Sequence, residues 1–197
     1  MAYYINLFSP ETYLAFSDSN REISGFRNNR RGIAANIRPG DKFICYMTKL
    51  SRWVGVLEVS SNYFIDDQPI FTQSNDPFVV RFHVSPMVWL KSEAGIPINN
   101  DICWKHLSFT KDLHRNSKSW TGMVRSSLTK LSEEDGRYLE ALLMAQGNEP
   151  KNYPLTIADR KKLWSSVVNS EAGQIAVSIP DEENRPSNRR GTETEHT

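Results

Sequence analysis

The chain has 197 residues and a net charge of +1, which is enough for one well-buried domain with some excess. Apolar residues make up 39% and aromatic residues 11%, as in ordinary globular proteins, so a wholly disordered chain is excluded. No apolar run approaches the roughly 18 residues of a membrane span, and no secretory leader opens the sequence. We therefore expect a cytoplasmic protein without a membrane partner.

The first residues of the chain predict a strand followed by a helix. Residues 3–8 favour a strand, and Ser9 is typical of a helix N-cap with Pro10 at the first helical position. We expect this helix to end near Phe16. Residues 23–36 are rich in arginine and asparagine and alternate poorly, so they are predicted as a loop with one helical turn at most.

A hairpin is the clearest pattern in the sequence. Residues 39–41 (PGD) predict a turn, because proline presets one backbone angle and glycine accepts a positive φ. The β-branched and aromatic runs 43–46 and 53–59 predict two strands of a hairpin.

The second half of the chain predicts one more long strand and two helices. Residues 78–84 alternate like a strand that residues 86–90 continue, and residues 100–107 favour a short helix. Ser132 followed by three acids predicts the start of a longer helix, which Gly147 is expected to end.

These elements predict an α+β fold, namely a mixed, mostly antiparallel sheet or a small barrel with peripheral helices. We expect one domain over residues 1–149 and a C-terminal extension over residues 150–179. The extension is predicted to hold a helix from Asp159 to Val168. Residues 180–197 offer almost nothing to bury, so they are predicted to be a disordered tail or linker.

The sequence shows no pattern of a catalytic or metal site. Cys103 and His106 are a single pair that cannot complete a metal site, and no glycine-rich phosphate loop or serine nucleophile motif is found. We therefore expect a protein that is not an enzyme and that carries no metal and no cofactor.

Charge is segregated along the chain even though the total is near zero. Residues 27–52 hold seven lysines and arginines against one acid, and residues 105–130 hold six against one. Residues 53–101 are acidic instead. If the fold places both basic segments on one face, they predict a nucleic-acid surface. The alternatives are that they are merely solvated, or that they meet an acidic protein partner.

Aromatic and polar residues in and near these segments are candidates for binding a base. Rings stack on bases, and amides and hydroxyls bind base edges. Stacking candidates are Phe26, Tyr46, Trp53, Trp89 and Trp120, and edge-binding candidates are Ser9, Asn28 and Ser126. Candidates for phosphate binding are Arg27, Arg30, Arg31, Arg52 and Lys118. A tryptophan in a strand is nevertheless more often a core residue, and Trp104 and Trp164 are interpreted so.

Several of these segments together resemble a known family. Residues 25–28 (GFRN), 38–46 (RPGDKFICY), 53–59 (WVGVLEV), 63–66 (YFID) and 120–135 are similar to the EVE domain, a PUA-like fold related to YTH domains. The resemblance covers about residues 2–144. It implies a curved, barrel-like sheet and a pocket for one flipped, modified nucleotide. The pocket candidates that it implies are Ser9, Asn28, Tyr46, Trp53, Trp120 and Arg125.

The resemblance also implies a function. We expect a non-catalytic module that recognises 5-methylcytosine or 5-hydroxymethylcytosine in DNA, as the specificity part of a modification-dependent restriction system with a fused or partner nuclease. The alternatives are an RNA-binding adaptor that reads modified RNA and a protein-interaction module.

Overall fold

An eight-stranded mixed sheet that curls into a half barrel forms the centre of the protein in the computed structural model, which describes residues 1–70 and 76–168. Its strands are β1 (Tyr3–Phe8), β2 (Ile23–Phe26), β3 (Lys42–Met47), β4 (Arg52–Val59), β5 (Phe64–Ile65), β6 (Val80–Trp89), β7 (Ile96–Pro97) and β8 (Thr129–Lys130). The spatial order is β2-β6-β4-β3-β1-β8, with β5 paired to β6 and β7 paired to β4. The strands predicted over residues 3–8, 43–46 and 53–59 are confirmed.

Within the described residues, five α-helices and two 3-10 segments lie around the sheet. The helices are α1 (Pro10–Asp18), α2 (Arg31–Ala34), α3 (Asp101–Trp104), α4 (Glu133–Asn148) and α5 (Ile157–Val168). The 3-10 segments are Asn28–Arg30 and Ser119–Val124. The predicted α+β class, with a curled PUA-like sheet and peripheral helices, is confirmed. None of the helices in the described residues is long and apolar enough to cross a membrane.

The central strands are buried on both faces. All six residues of β3 are buried. Its edges pair with β1 and β4, and its alternate side chains enter two cores, Phe43, Cys45 and Met47 on one face and Ile44 and Tyr46 on the other. Alternate residues of β1 enter two separate cores: Tyr4 and Phe8 join the core beside α1, whereas Tyr3 and Ile5 join the core beneath α4. A strand covered on both faces reads as a continuous apolar run, and this is the pattern of β3.

Helix α4 docks on β1 through a close approach at Gly136. A Cβ atom at Gly136 would lie 2.2 Å from Cγ of Tyr3, whose side chain is fully buried. The Tyr3 hydroxyl donates a hydrogen bond of 2.6 Å to Glu140, which also pairs with Lys42 of β3. Burial and the neighbouring Glu140 raise the pKa of Tyr3 to about 12. Glu140 therefore joins α4 to two central strands.

The structure corrects three expectations from the sequence. Residues 23–36 are not a loop, because β2 forms there by pairing with β6 and two short helical segments follow. Gly147 does not end α4, which continues to Asn148; a Cβ at Gly147 would lie 2.6 Å from Val88, so its role is close packing. Trp164 is 64% exposed and is not a packing residue.

The C-terminal extension packs on the sheet domain as far as it is described. Leu155 and Leu163 are buried in the core beside α1, and α5 contacts α1. The helix predicted from Asp159 is confirmed and begins two residues earlier, at Ile157. The predicted tail over residues 180–197 lies outside the described residues.

Replacing Gly136 by alanine should destabilise the protein even though alanine favours a helix by about 1 kcal/mol. The added methyl group overlaps Tyr3, and such overpacking costs roughly 1–3 kcal/mol. We expect Gly136→Ala to lower the free energy of unfolding measured by urea denaturation. Gly32→Ala is the matched control, since Gly32 also lies in a helix and nothing comes within 4 Å of its added Cβ. Equal stability of the two variants would contradict this account.

Candidate nucleic-acid interface

A cavity of about 330 Å³ opens where β1 ends and α1 begins. Its described wall is formed by residues from several segments, namely Leu7, Ser9, Glu11, Thr12, Gly25, Phe26, Arg27, Arg30, Thr48, Phe78, Arg125, Ser126 and Ser127. Binding sites for small ligands occupy roughly 300–1,000 Å³, so a cavity of this size suits one base or nucleoside. The structure brings together six of the predicted site residues here, namely Ser9, Phe26, Arg27, Arg30, Arg125 and Ser126.

The wall formed by α1 is fixed by its N-cap. The backbone N–H of Thr12 donates to Ser9 Oγ at 3.2 Å, and the backbone N–H of Ser9 donates to Thr12 Oγ1 at 2.9 Å. These reciprocal bonds satisfy two donors at the helix start. Ser9 therefore holds the rim of the cavity in place, and the predicted N-cap is confirmed.

Strand β1 also holds the opposite wall. The backbone N–H of Leu7 donates to Ser127 Oγ at 3.1 Å, and the N–H of Leu128 donates to the carbonyl of Ile5 at 2.7 Å. Leu128 has φ +65°, so the chain turns sharply before it enters β8. These hydrogen bonds hold the loop 125–127 against the end of β1.

The cavity is positively charged. Arg27, Arg30 and Arg125 line it, against the single carboxylate of Glu11 among the described lining residues. Arg27 pairs with Asp76 at 2.7 Å and lies over the ring of Phe78, 5.1 Å from its centroid.

Arg30 and Arg125 are held only loosely. Arg30 donates to Ser126 Oγ at 3.5 Å, and Arg125 donates to Thr121 Oγ1 at 3.4 Å. Neither forms an ion pair with another described residue. Two guanidinium groups without a carboxylate partner are available to an anionic ligand.

Tyr46 and Trp53 lie in the core instead of the cavity. Trp53 is 0% exposed and Tyr46 2% exposed, and their rings meet edge to face with centroids 4.8 Å apart. Burial raises the pKa of Tyr46 to about 12. Their interpretation as stacking faces is corrected, because a ring that no solvent reaches cannot accept a base without disrupting the core.

Trp89 and Trp120 are partly buried and are used for packing. Trp89 stacks on Tyr13 at 5.3 Å, and its indole N–H donates to Ser17 at 2.9 Å. Trp120 meets Trp104 edge to face at 6.0 Å, and its indole N–H donates to the Ser117 carbonyl at 3.0 Å. Neither is among the described residues that line the cavity. Trp120 instead supports the segment that leads to Arg125.

Three further predicted residues lie on the surface outside the described cavity wall. Asn28 begins a 3-10 turn, Arg31 begins α2, and Lys118 precedes the second 3-10 segment; all three are exposed. Arg31 Nε donates to the Tyr63 hydroxyl at 3.5 Å. Their predicted roles toward a base or phosphate remain predictions.

Comparison with known proteins assigns the chain to a family. The EVE domain model matches residues 2–142, which is more than half of the chain. The chain belongs to the EVE domain family. A UPF0310 protein of Pyrococcus abyssi (strain GE5 / Orsay) is 26% identical over 157 residues, which cover 73% of this chain and all of that relative.

Among solved structures, a YTH domain has a similar fold. The Pho92 YTH domain in complex with m6A has a TM-score of 0.54 and 12% identity, covering 77% of this chain and 88% of that one. A protein of Agrobacterium tumefaciens has a TM-score of 0.46 and 17% identity, covering 77% and 99%. At these identities the likeness concerns the fold alone.

Sequence reasoning missed part of the cavity wall in this EVE domain. Glu11, Thr12, Thr48, Phe78 and Ser127 line it but were not candidates. The helix-start pattern at residues 9–12 marks the rim, so Glu11 and Thr12 were within reach of the sequence. Thr48 and Ser127 come from distant segments that the pairing of β1 with β3 and β8 places here, and Phe78 is placed by the pairing of β6 with β2.

Arg52 is a structural residue instead of a phosphate ligand. It is 5% exposed, and its guanidinium donates to four carbonyls, those of Ser92 (3.2 Å), Gly95 (3.3 Å), Tyr153 (2.6 Å) and Pro154 (3.1 Å). Burial lowers the pKa of Arg52 from its usual value. The prediction that Arg52 holds a phosphate is corrected, because its donors are occupied within the protein. Arg52 thus fastens the chain before α5, outside the EVE match, to the sheet.

Arg52→Gln should therefore lower stability. Buried carbonyls that lose their donor cost about 1–3 kcal/mol each, so we expect the free energy of unfolding to fall by at least about 2 kcal/mol. Thermal and urea unfolding measure the change. Arg31→Gln is the matched control and should leave stability nearly unchanged, because Arg31 is exposed. If Arg52→Gln is as stable as the control and loses nucleic-acid affinity instead, Arg52 is a ligand after all.

Proposed function

We propose that this EVE domain binds nucleic acid without catalysis and receives one flipped, modified base in the cavity at the end of β1. The observation that carries the proposal is the cavity itself, which has the volume of one nucleoside and two arginines without a carboxylate partner in the described chain. The TM-score of 0.54 to a YTH domain in complex with m6A supports the same use of the fold.

The phosphates of the flipped nucleotide and its neighbours are assigned to exposed or half-buried cations. Arg27, Arg30 and Arg125 line the cavity, and Arg31 and Lys118 lie on adjoining surface segments. Such contacts give affinity that falls with salt and carry little sequence information.

The base itself is assigned to the polar wall of the cavity. Ser9 and Ser126, which carry hydroxyl groups, and the aromatic residues Phe26 and Phe78 line the space. Flipping a base costs a few kcal/mol, which contacts inside the cavity must offset. With the tryptophans used for packing, hydrogen bonds and guanidinium groups supply most of the recognition.

The specific ligand in this proposal is 5-methylcytosine or 5-hydroxymethylcytosine in DNA. In that role the protein is the specificity part of a modification-dependent restriction system and works with a fused or partner nuclease. The second candidate is a reader of modified RNA, which the likeness to the m6A-bound YTH domain favours.

A binding assay with matched oligonucleotides tests the proposal. We expect short DNA strands with one modified cytosine to bind more tightly than unmodified DNA of the same sequence, at two salt concentrations. Matched RNA strands with and without m6A test the second candidate. Preference for modified RNA over modified DNA would replace the first candidate, and salt-insensitive or absent binding to every strand would contradict both.

The two loosely held arginines give a quantitative prediction. Arg30→Gln with Arg125→Gln should weaken binding to all sequences alike and reduce the slope of log affinity against log salt by about one per arginine. Arg137→Gln is the matched control, since Arg137 is exposed on α4 and pairs with Glu133. An unchanged slope in the double variant would show that these arginines contact no phosphate.

Blocking the cavity should affect base preference. Ser126→Phe places a ring in the space next to Arg30 and should remove the preference for the modified base while weak, unspecific binding remains. Ser165→Phe, on the exposed part of α5, is the control. If Ser126→Phe folds normally and keeps the preference, the base binds elsewhere.

A further inference from the structure

One carboxylate faces a cavity whose other charged groups are all arginines. Glu11 is the only acid among the described lining residues, and it is half-buried at the second position of α1. No ion pair holds it within the described residues, although Arg30 and Arg125 line the same space. Because Glu11 lines the cavity and forms no ion pair with another described residue, its carboxylate is available to a ligand.

The charged residues of the wall differ in whether they donate or accept hydrogen bonds. Guanidinium groups only donate, whereas an ionised carboxylate only accepts. A nucleotide that fills this cavity therefore meets donors for its phosphates from Arg30 and Arg125 and an acceptor for its base from Glu11.

An acceptor in the wall can distinguish cytosine from thymine and uracil. Cytosine has an exocyclic amino group that donates next to a ring nitrogen and a carbonyl that accept, whereas thymine and uracil have a carbonyl where cytosine has its amino group. A carboxylate accepts a hydrogen bond from the amino group but opposes a carbonyl oxygen. Leaving a buried polar group without a partner is costly, so the wrong base is rejected.

We infer that Glu11 is the specificity-determining residue that selects a base with an exocyclic amino group, here a modified cytosine, over the corresponding uracil or thymine. The inference rests on the proposed function and adds the base class to it. Arg30 and Arg125 bind the phosphates, as in the proposed function, and Glu11 reads the amino group of the base.

Glu11 has a second, structural effect because it lies in the first turn of α1. Acids in the first turn of a helix interact favourably with its unpaired N–H groups and with the helix dipole. That effect alone would leave base preference untouched, so stability and discrimination must be measured separately.

The test uses two ligand pairs that differ only at the discriminating position: 5-hydroxymethylcytosine with 5-hydroxymethyluracil, and 5-methylcytosine with thymine, each in the same short DNA strand. The native chain should prefer the cytosine of each pair roughly 5- to 150-fold, the range of one good contact to a base edge. In Glu11→Gln this ratio should fall toward one, because an amide offers both a donor and an acceptor.

Asp18→Asn is the matched control, as it removes one acid from the exposed C-terminal end of the same helix and should keep the ratio. Thermal unfolding of each variant separates a loss of fold from a loss of discrimination. If Glu11→Gln keeps the native ratio, or if the native chain binds both members of each pair equally, the inference is wrong while the proposed function stands. Absence of binding to any modified strand would overturn both.

Discussion

The pairing of β1 on both of its edges is the constraint on which the candidate site depends. Parallel pairing with β3 fixes the end of β1 beside Thr48, and antiparallel pairing with β8 draws the loop 125–127 to the same place. The chain leaves β1 directly into α1, so the helix start forms the remaining wall. Segments that lie between residues 7 and 127 of the chain thereby surround one cavity.

The aromatic residues of this protein serve mainly to hold the half barrel together. Trp53, Tyr46 and Phe43 are sealed in the two cores, and Trp89 fills the space between α1 and the sheet. A cavity wall made largely of hydroxyl and charged groups is the result. Recognition by such a wall depends more on hydrogen-bond donors and acceptors than on stacking against an aromatic face. The carboxylate of Glu11, the one acidic group among the described lining residues, is therefore important for selectivity.

The described unit is larger than the family match. Residues 150–168 follow the matched region, yet Arg52 binds the Tyr153 and Pro154 carbonyls from within β4, and Leu155 and Leu163 complete the core beside α1. The buried guanidinium is therefore stabilised by satisfied hydrogen bonds within the protein, which leaves its donors unavailable to a ligand. The sequence identifies Arg52 as part of a basic segment, but its burial makes it a structural residue.

Local patterns in the sequence determined the first strand, the hairpin around residues 39–41, the cap at Ser9 and the start of α4 at Ser132, because propensity, turn chemistry and capping act over a few residues. The motifs within residues 25–66 and 120–135 indicated the family, because such motifs are read directly from the sequence. Only the tertiary structure decided which side chains reach the cavity. Trp53 and Arg125 are both plausible ligands by type, and long-range strand pairing buries the first and exposes the second. Burial depends on which segments pack together, and in this protein those segments meet only when the sheet is complete.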